Sequence, residues 1–149
     1  MRILCLGDEL LGDDSVATIV GRHIRQLLPP DVEIEVLPES SFDFPIHIVN
    51  TPSLVVVEAV QTGEAPPGTV HLLDQDDLAS PVMLSTRYNE LKEAVELARS
   101  LHLMTPDKIV LLAIEVGNLQ GAHAEMLPAV RAAAPVVAEM IEEMLPQWT

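Results

Sequence analysis

The chain has little positive charge, a single cysteine and no long apolar run. Its 149 residues hold 8 Lys and Arg against 23 Asp and Glu, a formal net charge of −15. Without a basic cluster, binding to nucleic acid or to an anionic membrane is not expected. Cys5 stands alone, so no disulfide can form within the chain. No apolar stretch approaches the roughly 18 residues that a membrane span needs, and the first residues do not resemble a signal peptide. We therefore expect a soluble, cytoplasmic protein.

Several familiar catalytic motifs are also absent. The sequence contains no Gly-x-Ser-x-Gly nucleophile elbow, no Gly-x-x-x-x-Gly-Lys-(Ser/Thr) phosphate loop and no His-Glu-x-x-His zinc motif. Gly7 and Gly12 have the spacing of a phosphate loop, but the lysine is missing and four acidic residues within 8–14 would repel a phosphate group. Nucleotide binding is therefore disfavoured.

The apolar pattern predicts one α/β domain over residues 1–149. The length and the 48% apolar content are sufficient for one domain with its own core. Strands interleave with three or four helices, which is typical of a mostly parallel sheet with one antiparallel strand. The five predicted strands cover 3–6, 32–37, 53–58, 69–73 and 108–116.

Local patterns place some of these elements within the sheet. Strict alternation of apolar and acidic residues over 32–37 predicts a strand near the sheet edge, whereas the valine-rich run at 54–57 predicts a strand buried on both faces. The connection before 69–73 is short, which favours an antiparallel neighbour of strand 53–58. Helices are predicted from Ser15, near Pro45, from about Thr86, and over 122–145. In the last helix Pro128 suits the first turn, and Pro135 is expected to kink or divide it.

Two acidic positions are candidate site residues. The loop 7–14 lies between a strand and a helix, so Asp13 or Asp14 would fall at the N-cap or in the first turn, where N–H groups and the helix dipole favour a carboxylate. Glu58 ends the buried strand, and in open α/β sheets the binding crevice lies at that end. Asp14 and Glu58 would converge there if their strands are adjacent. The alternatives are a simple helix cap for Asp14 and a solvated loop acid for Glu58.

No histidine offers an obvious partner for these two carboxylates. A divalent transition metal would normally add an imidazole ligand. None of the five histidines has metal-ligand spacing to another, and each is predicted to be a surface or packing residue. They are His23, His47, His71, His102 and His123.

Five segments of the chain together resemble one known family. Residues 7–14 resemble a Gly-Asn-x-Leu-x-x-Asp-(Asp/Glu) loop, and 54–60 resemble a buried strand ending in Asp-Ala-(Ile/Val). Pro67-Gly68-Thr69 matches a Pro-Gly-Thr turn, Leu84-Ser85 the start of the following helix, and 108–115 the last strand. These are features of the [NiFe]-hydrogenase maturation endopeptidases, and the likeness covers most of the chain.

The resemblance implies a fold, a reaction and a set of ligands. The fold is a twisted five-stranded sheet between helices on both faces. The reaction is one cleavage near the C-terminus of the hydrogenase large-subunit precursor, in which two carboxylates and a histidine bind the nickel already inserted in that precursor. The matching carboxylates are Asp14 and Glu58. The third position falls on Arg87, whose guanidinium stays protonated and cannot coordinate a cation.

Two main hypotheses follow from these residues. In the first, the chain is a metal-dependent peptidase in which nickel, supplied by the substrate protein, polarises the scissile carbonyl and a carboxylate activates water. In the second, the chain is a non-catalytic relative in which Arg87 pairs with Asp14 or Glu58 and the crevice only binds a maturation partner. A third hypothesis is an α/β domain that binds a cationic or metal-bearing ligand unrelated to hydrogenases.

Overall fold

The sheet has five strands in the order β2-β1-β3-β5-β4. A computed structural model describes residues 1–7, 12–38, 43–74, 76, 86–117 and 125–148. Strands β1, β2, β3 and β5 are parallel to one another, and β4 is antiparallel to β5, as the predicted fold class requires. The strands are β1 Arg2–Leu6, β2 Glu33–Leu37, β3 Ser53–Val60, β4 Val70–Asp74 and β5 Lys108–Glu115.

Helices cover both faces of this sheet. A 3-10 turn, Gly12–Ser15, leads into the first helix. Helices α1 and α4 pack together on one face, and α2 and α3 pack together on the other. The helices are α1 Val16–Ile24, α2 Phe44–Ile48, α3 Thr86–Ser100 and α4 Pro128–Trp148. Within the described ranges, no helix is both long enough and apolar enough to cross a membrane.

The core forms because side chains of the central strands alternate between the two faces. Val55, Val57 and Leu112 lie in one apolar cluster with α1 and α4. Leu54 and Leu111 lie in a second cluster with α2 and α3. All eight residues of β3 are buried, as its valine-rich sequence predicts. Each large aliphatic side chain buried in this way stabilises the fold by about 1.5–3 kcal/mol.

The position of β4 differs from the prediction. Its antiparallel direction is correct, but its neighbour is β5 rather than β3, with Val70 opposite Ile114. Residues 61–69 cross the end of β5 to reach that position, because adjacent strands are only about 4.8 Å apart and a short connection can pass one of them. As a result, β4 starts at the edge of the sheet where the parallel strands end.

Two details of the helices also differ from the sequence predictions. The N-cap of α1 is Ser15, so Asp13 and Asp14 precede the cap, in the 3-10 turn. Pro135 does not divide the last helix, which runs unbroken through it. Pro135 has no N–H group, so the carbonyl of Arg131 receives no helical hydrogen bond from it. Both residues lie on the exposed side of α4, where water can bond to that carbonyl. Pro128 occupies the first turn as predicted.

Candidate functional site

The two strands that carry the predicted carboxylates are neighbours. Strand β1 pairs with β3, with Leu6 opposite Glu58. The 3-10 turn that contains Asp14 follows β1 and lies against β3. The backbone therefore brings these two positions to the same end of the sheet. The side chains of Asp14 and Arg87 lie outside the described part of the structure, so their contact with Glu58 stays a prediction.

Glu58 is a buried carboxylate within the sheet. It is 1% exposed, which rules out a loop acid that points to solvent. Strand β3 continues two residues beyond it, to Val60. The alternation along β3 places its side chain on the α2/α3 face, between Leu6 on β1 and Ala113 on β5. Because burying a carboxylate is costly, such a residue near the carboxyl edge of an α/β sheet is a candidate functional group.

Glu115 is a second buried carboxylate at this edge. It ends β5, is 1% exposed and lies on the same face as Glu58. Its carboxylate accepts hydrogen bonds from the Thr62 N–H, at 2.8 Å, and from the Thr62 hydroxyl. Burial by itself would raise the pKa of Glu115, but hydrogen bonds from Thr62, His71 and Gly63 hold that pKa below its ordinary value. Glu115 is therefore ionised at neutral pH.

The effect of Thr62 on Glu115 is testable through the pH dependence of stability. Because the folded-state pKa of Glu115 is lowered, its stabilising contribution is present above the ordinary value of 4.5 and is lost as the pH falls through the folded-state pKa. Thr62→Val removes one hydrogen bond to the carboxylate. We expect the free energy of unfolding at pH 7 to fall by about 1–2 kcal/mol, and less at pH 3, as measured by urea unfolding.

Thr69→Val is the matched control for that experiment. The Thr69 hydroxyl donates to the Pro66 carbonyl at 2.7 Å, so both groups are uncharged. Its loss should lower stability by a similar amount at both pH values. Equal losses for Thr62→Val at pH 7 and pH 3 would show that the Thr62 hydroxyl does not control the ionisation of Glu115.

His71 lies at the same edge of the sheet. Its Nε2 is 3.2 Å from Glu115 Oε1, and its side chain is 24% exposed. In register, Glu58 is opposite Ala113, and Ala113 is opposite His71. These three residues form a row across three strands. His71 is the second residue of β4, and the antiparallel direction of β4 is what brings it to this edge.

The remaining described histidines lie away from this row. His23 on α1 and His102 after α3 are exposed, as predicted for surface residues. His47 on α2 lies 2.9 Å from Glu35 of the edge strand β2. His123 lies outside the described residues. Within the described residues, no group of three or more His, Cys, Asp or Glu side chains could hold a metal ion.

A hollow on the opposite face of the sheet is separate from this site. Its volume is about 440 Å³, and it lies beside β4 and the end of α4. Leu72 and Val110, which line it, are on the α1/α4 face, whereas Glu58, His71 and Glu115 are on the α2/α3 face. The carboxyl edge of the α2/α3 face is therefore the candidate functional site, because the buried acids lie there.

One family of proteins matches most of the sequence. The family model HycI, described as hydrogenase maturation protease, matches residues 39–144. The matched segment contains Glu58 and Arg87 and begins after Asp14. No curated protein matches the sequence.

Solved structures of similar fold carry related descriptions. The hydrogenase maturating endopeptidase HybD of Escherichia coli is 21% identical, with a TM-score of 0.81 over 98% of this chain and 91% of that one. The [NiFe] hydrogenase maturation protease HybD of Thermococcus kodakarensis is 19% identical, with a TM-score of 0.72 over 96% and 97% of the two chains. HycI from Thermococcus kodakarensis KOD1 is 24% identical, with a TM-score of 0.67 over 97% and 91%. These structures share the fold.

Proposed function

Because the chain belongs to the hydrogenase maturation protease family, we propose that it cleaves a C-terminal extension from the nickel-loaded large-subunit precursor of a [NiFe] hydrogenase. The observation that carries this proposal is the burial of Glu58 near the carboxyl end of β3, beside the strand that leads to Asp14. Two carboxylates at that edge suit a site that faces a cation. The nickel arrives with the precursor and is part of the substrate.

The proposed roles of the residues follow from their chemistry. Glu58 and Asp14 face the metal centre of the docked precursor. Hydrolysis needs a group that accepts a proton from the attacking water and a group that polarises the scissile carbonyl. Glu58 is suited to the first role, because its carboxylate is held in a water-poor position by the rigid central strand.

Cleavage of a purified precursor tests this function. The protein is mixed with a large-subunit precursor prepared either with nickel or without it, and the intact mass of the precursor is followed over time. We expect only the nickel-loaded precursor, and not the nickel-free one, to lose a C-terminal peptide. The mass of that peptide identifies the bond that is cut. Incubation without the protein gives the background.

The same experiment separates the peptidase from a non-catalytic relative. A complex that elutes together on gel filtration while the precursor keeps its full mass would contradict the peptidase proposal. That result would favour the alternative in which Arg87 occupies the crevice and the protein only binds its maturation partner. Equal cleavage of both precursors would contradict the requirement for nickel.

A further inference from the structure

Strand β4 lies at the edge of the sheet with one side open. It pairs with β5 on one side, and within the described residues no strand pairs with the other side. The Glu115 N–H donates to the Thr69 carbonyl at 2.8 Å. Hydrogen-bonded pairs alternate along an antiparallel ladder, so the next residues that bond to β5 are His71 and Leu73. The N–H and C=O groups of Leu72, which lies between them, therefore point away from β5.

One side of α4 runs alongside this edge strand. In its first turn α4 meets the start of β4, where Ala129 packs against Gly68. At its other end Trp148 lines the hollow of about 440 Å³ together with Leu72. One side of a helix recurs every three or four residues. From the first contact to the second, the residues on this side are apolar: Ala129, Ala133, Val136, Met140 and Met144. They form with β4 an apolar groove, the β4 groove, which ends in the hollow.

The β4 groove leaves apolar surface uncovered. Leu72 is 47% exposed and Val136 is 49% exposed. Met140, Met144 and Trp148 are only partly buried where they pack against the core. An extended segment placed beside β4 would direct every second side chain to this face of the sheet. The side chain next to Leu72 would enter the hollow, so an apolar residue fits at that position.

The charges beside the groove favour a basic partner. Glu139 and Glu143 are exposed on α4, each one residue before a methionine of the groove. Lys108, which lines the hollow, is engaged with the end of α4, where it donates to the Gln147 carbonyl at 2.8 Å. The chain as a whole has a net charge of −15. A basic segment is therefore attracted to the groove, whereas a second copy of the chain would bring two acidic rims together.

The groove begins at the edge of the sheet that carries the candidate site. Strand β4 starts there, and a strand added beside it would lie three strand spacings from Glu58 on β3, about 14 Å. About four extended residues span that distance. A partner whose reacting bond lies at Glu58 can therefore place a neighbouring segment of its chain in the groove.

We propose that the open edge of β4 and the β4 groove bind an extended segment of the hydrogenase precursor as a sixth strand. The segment is five residues long, as β4 is, and its central apolar residue enters the hollow beside Leu72. Basic residues two positions before and after it lie on the same face and reach Glu139 and Glu143. The identity of the partner rests on the proposed function, whereas the chemistry of the segment rests on the groove itself.

A peptide titration tests the groove without any hydrogenase. The ¹⁵N-labelled wild type is titrated with the synthetic peptide acetyl-Lys-Thr-Leu-Thr-Lys-amide, and with the same peptide carrying Glu in place of both Lys. With the basic peptide only, we expect the amide signal of Leu72 to shift and its hydrogen exchange to slow. The amide signal of Leu27, a similarly exposed leucine after α1, should stay in place. An unmoved Leu72 signal, or equal shifts with both peptides, would overturn the inference.

Variants of Leu72 test the groove against the precursor. Affinity for the nickel-free precursor is measured by biolayer interferometry. Leu72→Ala keeps the outward N–H but loses the apolar side chain, and we expect about 10-fold weaker binding. Leu72→Pro also removes that N–H, which makes no bond to β5, so we expect a further loss of about 3- to 10-fold. The control Leu27→Ala should bind as the wild type does.

Equal affinity of the wild type and both Leu72 variants, or no binding by the wild type, would overturn the inference. A wild-type dimer that Leu72→Pro converts to a monomer would also overturn it, because the edge would then belong to a second copy. The proposed function is decided separately, by the mass of the nickel-loaded precursor. If binding depends on Leu72 and that precursor is still not cut, the inference stands and the peptidase proposal fails.

Discussion

Glu58→Gln is expected to lower cleavage of the nickel-loaded precursor by at least about 100-fold in kcat/KM, because general base catalysis contributes about 10²- to 10⁴-fold. The amide has nearly the same shape as the carboxylate, so it fits the space between Leu6 and Ala113. It cannot accept the proton of the attacking water, and it is a poorer partner for a cation. The rate is measured from the intact mass of the precursor, and the fold is checked by circular dichroism.

Glu96→Gln is the matched control for this variant. Glu96 is exposed on α3, so the same chemical change there should leave cleavage at the wild-type rate. Cleavage by Glu58→Gln at the wild-type rate would show that Glu58 is a structural residue. A fully unfolded Glu58→Gln protein would show that the fold requires the Glu58 carboxylate.

Gly68→Ala is expected to lower the free energy of unfolding by about 2–4 kcal/mol, through backbone strain together with a steric clash. Gly68 has a φ of +94°, which disfavours side chains. A Cβ atom there would lie 2.4 Å from the carbonyl oxygen of Ala129 and 2.9 Å from its carbon. These are backbone atoms at the start of α4, so they cannot move aside as the end of a flexible side chain would. Urea unfolding measures the loss.

Gly63→Ala separates the backbone strain from the steric clash as causes of that loss. Gly63 also has a positive φ, +73°, but no atom lies within 4 Å of an added Cβ. It should therefore show the strain alone, about 1–2 kcal/mol. The difference between the two variants measures the contact with Ala129. Equal losses in the two variants would mean that the start of α4 moves away at little cost. That result would contradict the close packing of Gly68 against Ala129.

The strands could be predicted because the apolar pattern that indicates a buried strand lies within a few consecutive residues. A run of valines over 54–57 indicates a strand covered on both faces wherever it lies in the sheet. The neighbour of β4 could not be predicted in the same way. Strand order depends on pairing between distant segments, and both β3 and β5 have the apolar surface to accept β4.

The residues of the candidate site likewise differ in whether local sequence could identify them. Glu58 was predicted because an acid that ends a valine run is conspicuous in the sequence. Glu115, the last residue of β5, and His71, the second residue of β4, were not predicted as site residues, because only the pairing of β4 with β5 brings them together. The antiparallel direction of β4 was the available signal, because it places the first residues of β4 at the carboxyl edge. Asp14 and Arg87 remain predictions, since their side chains are not described.

The insertion of β5 between β3 and β4 has a consequence for the order in which the protein folds. Glu115 is 44 residues beyond His71 in the chain, and it meets both the loop before β4 and β4 itself. While residues 108–115 are still being synthesised, β3 has an apolar edge without a partner, and β4 has no strand to pair with. Unpaired apolar edges favour aggregation, and such long-range pairing is slow. The row of Glu58, Ala113 and His71 is thus completed late, by the last of the five strands to leave the ribosome, and a nascent chain that ends before β5 lacks this row.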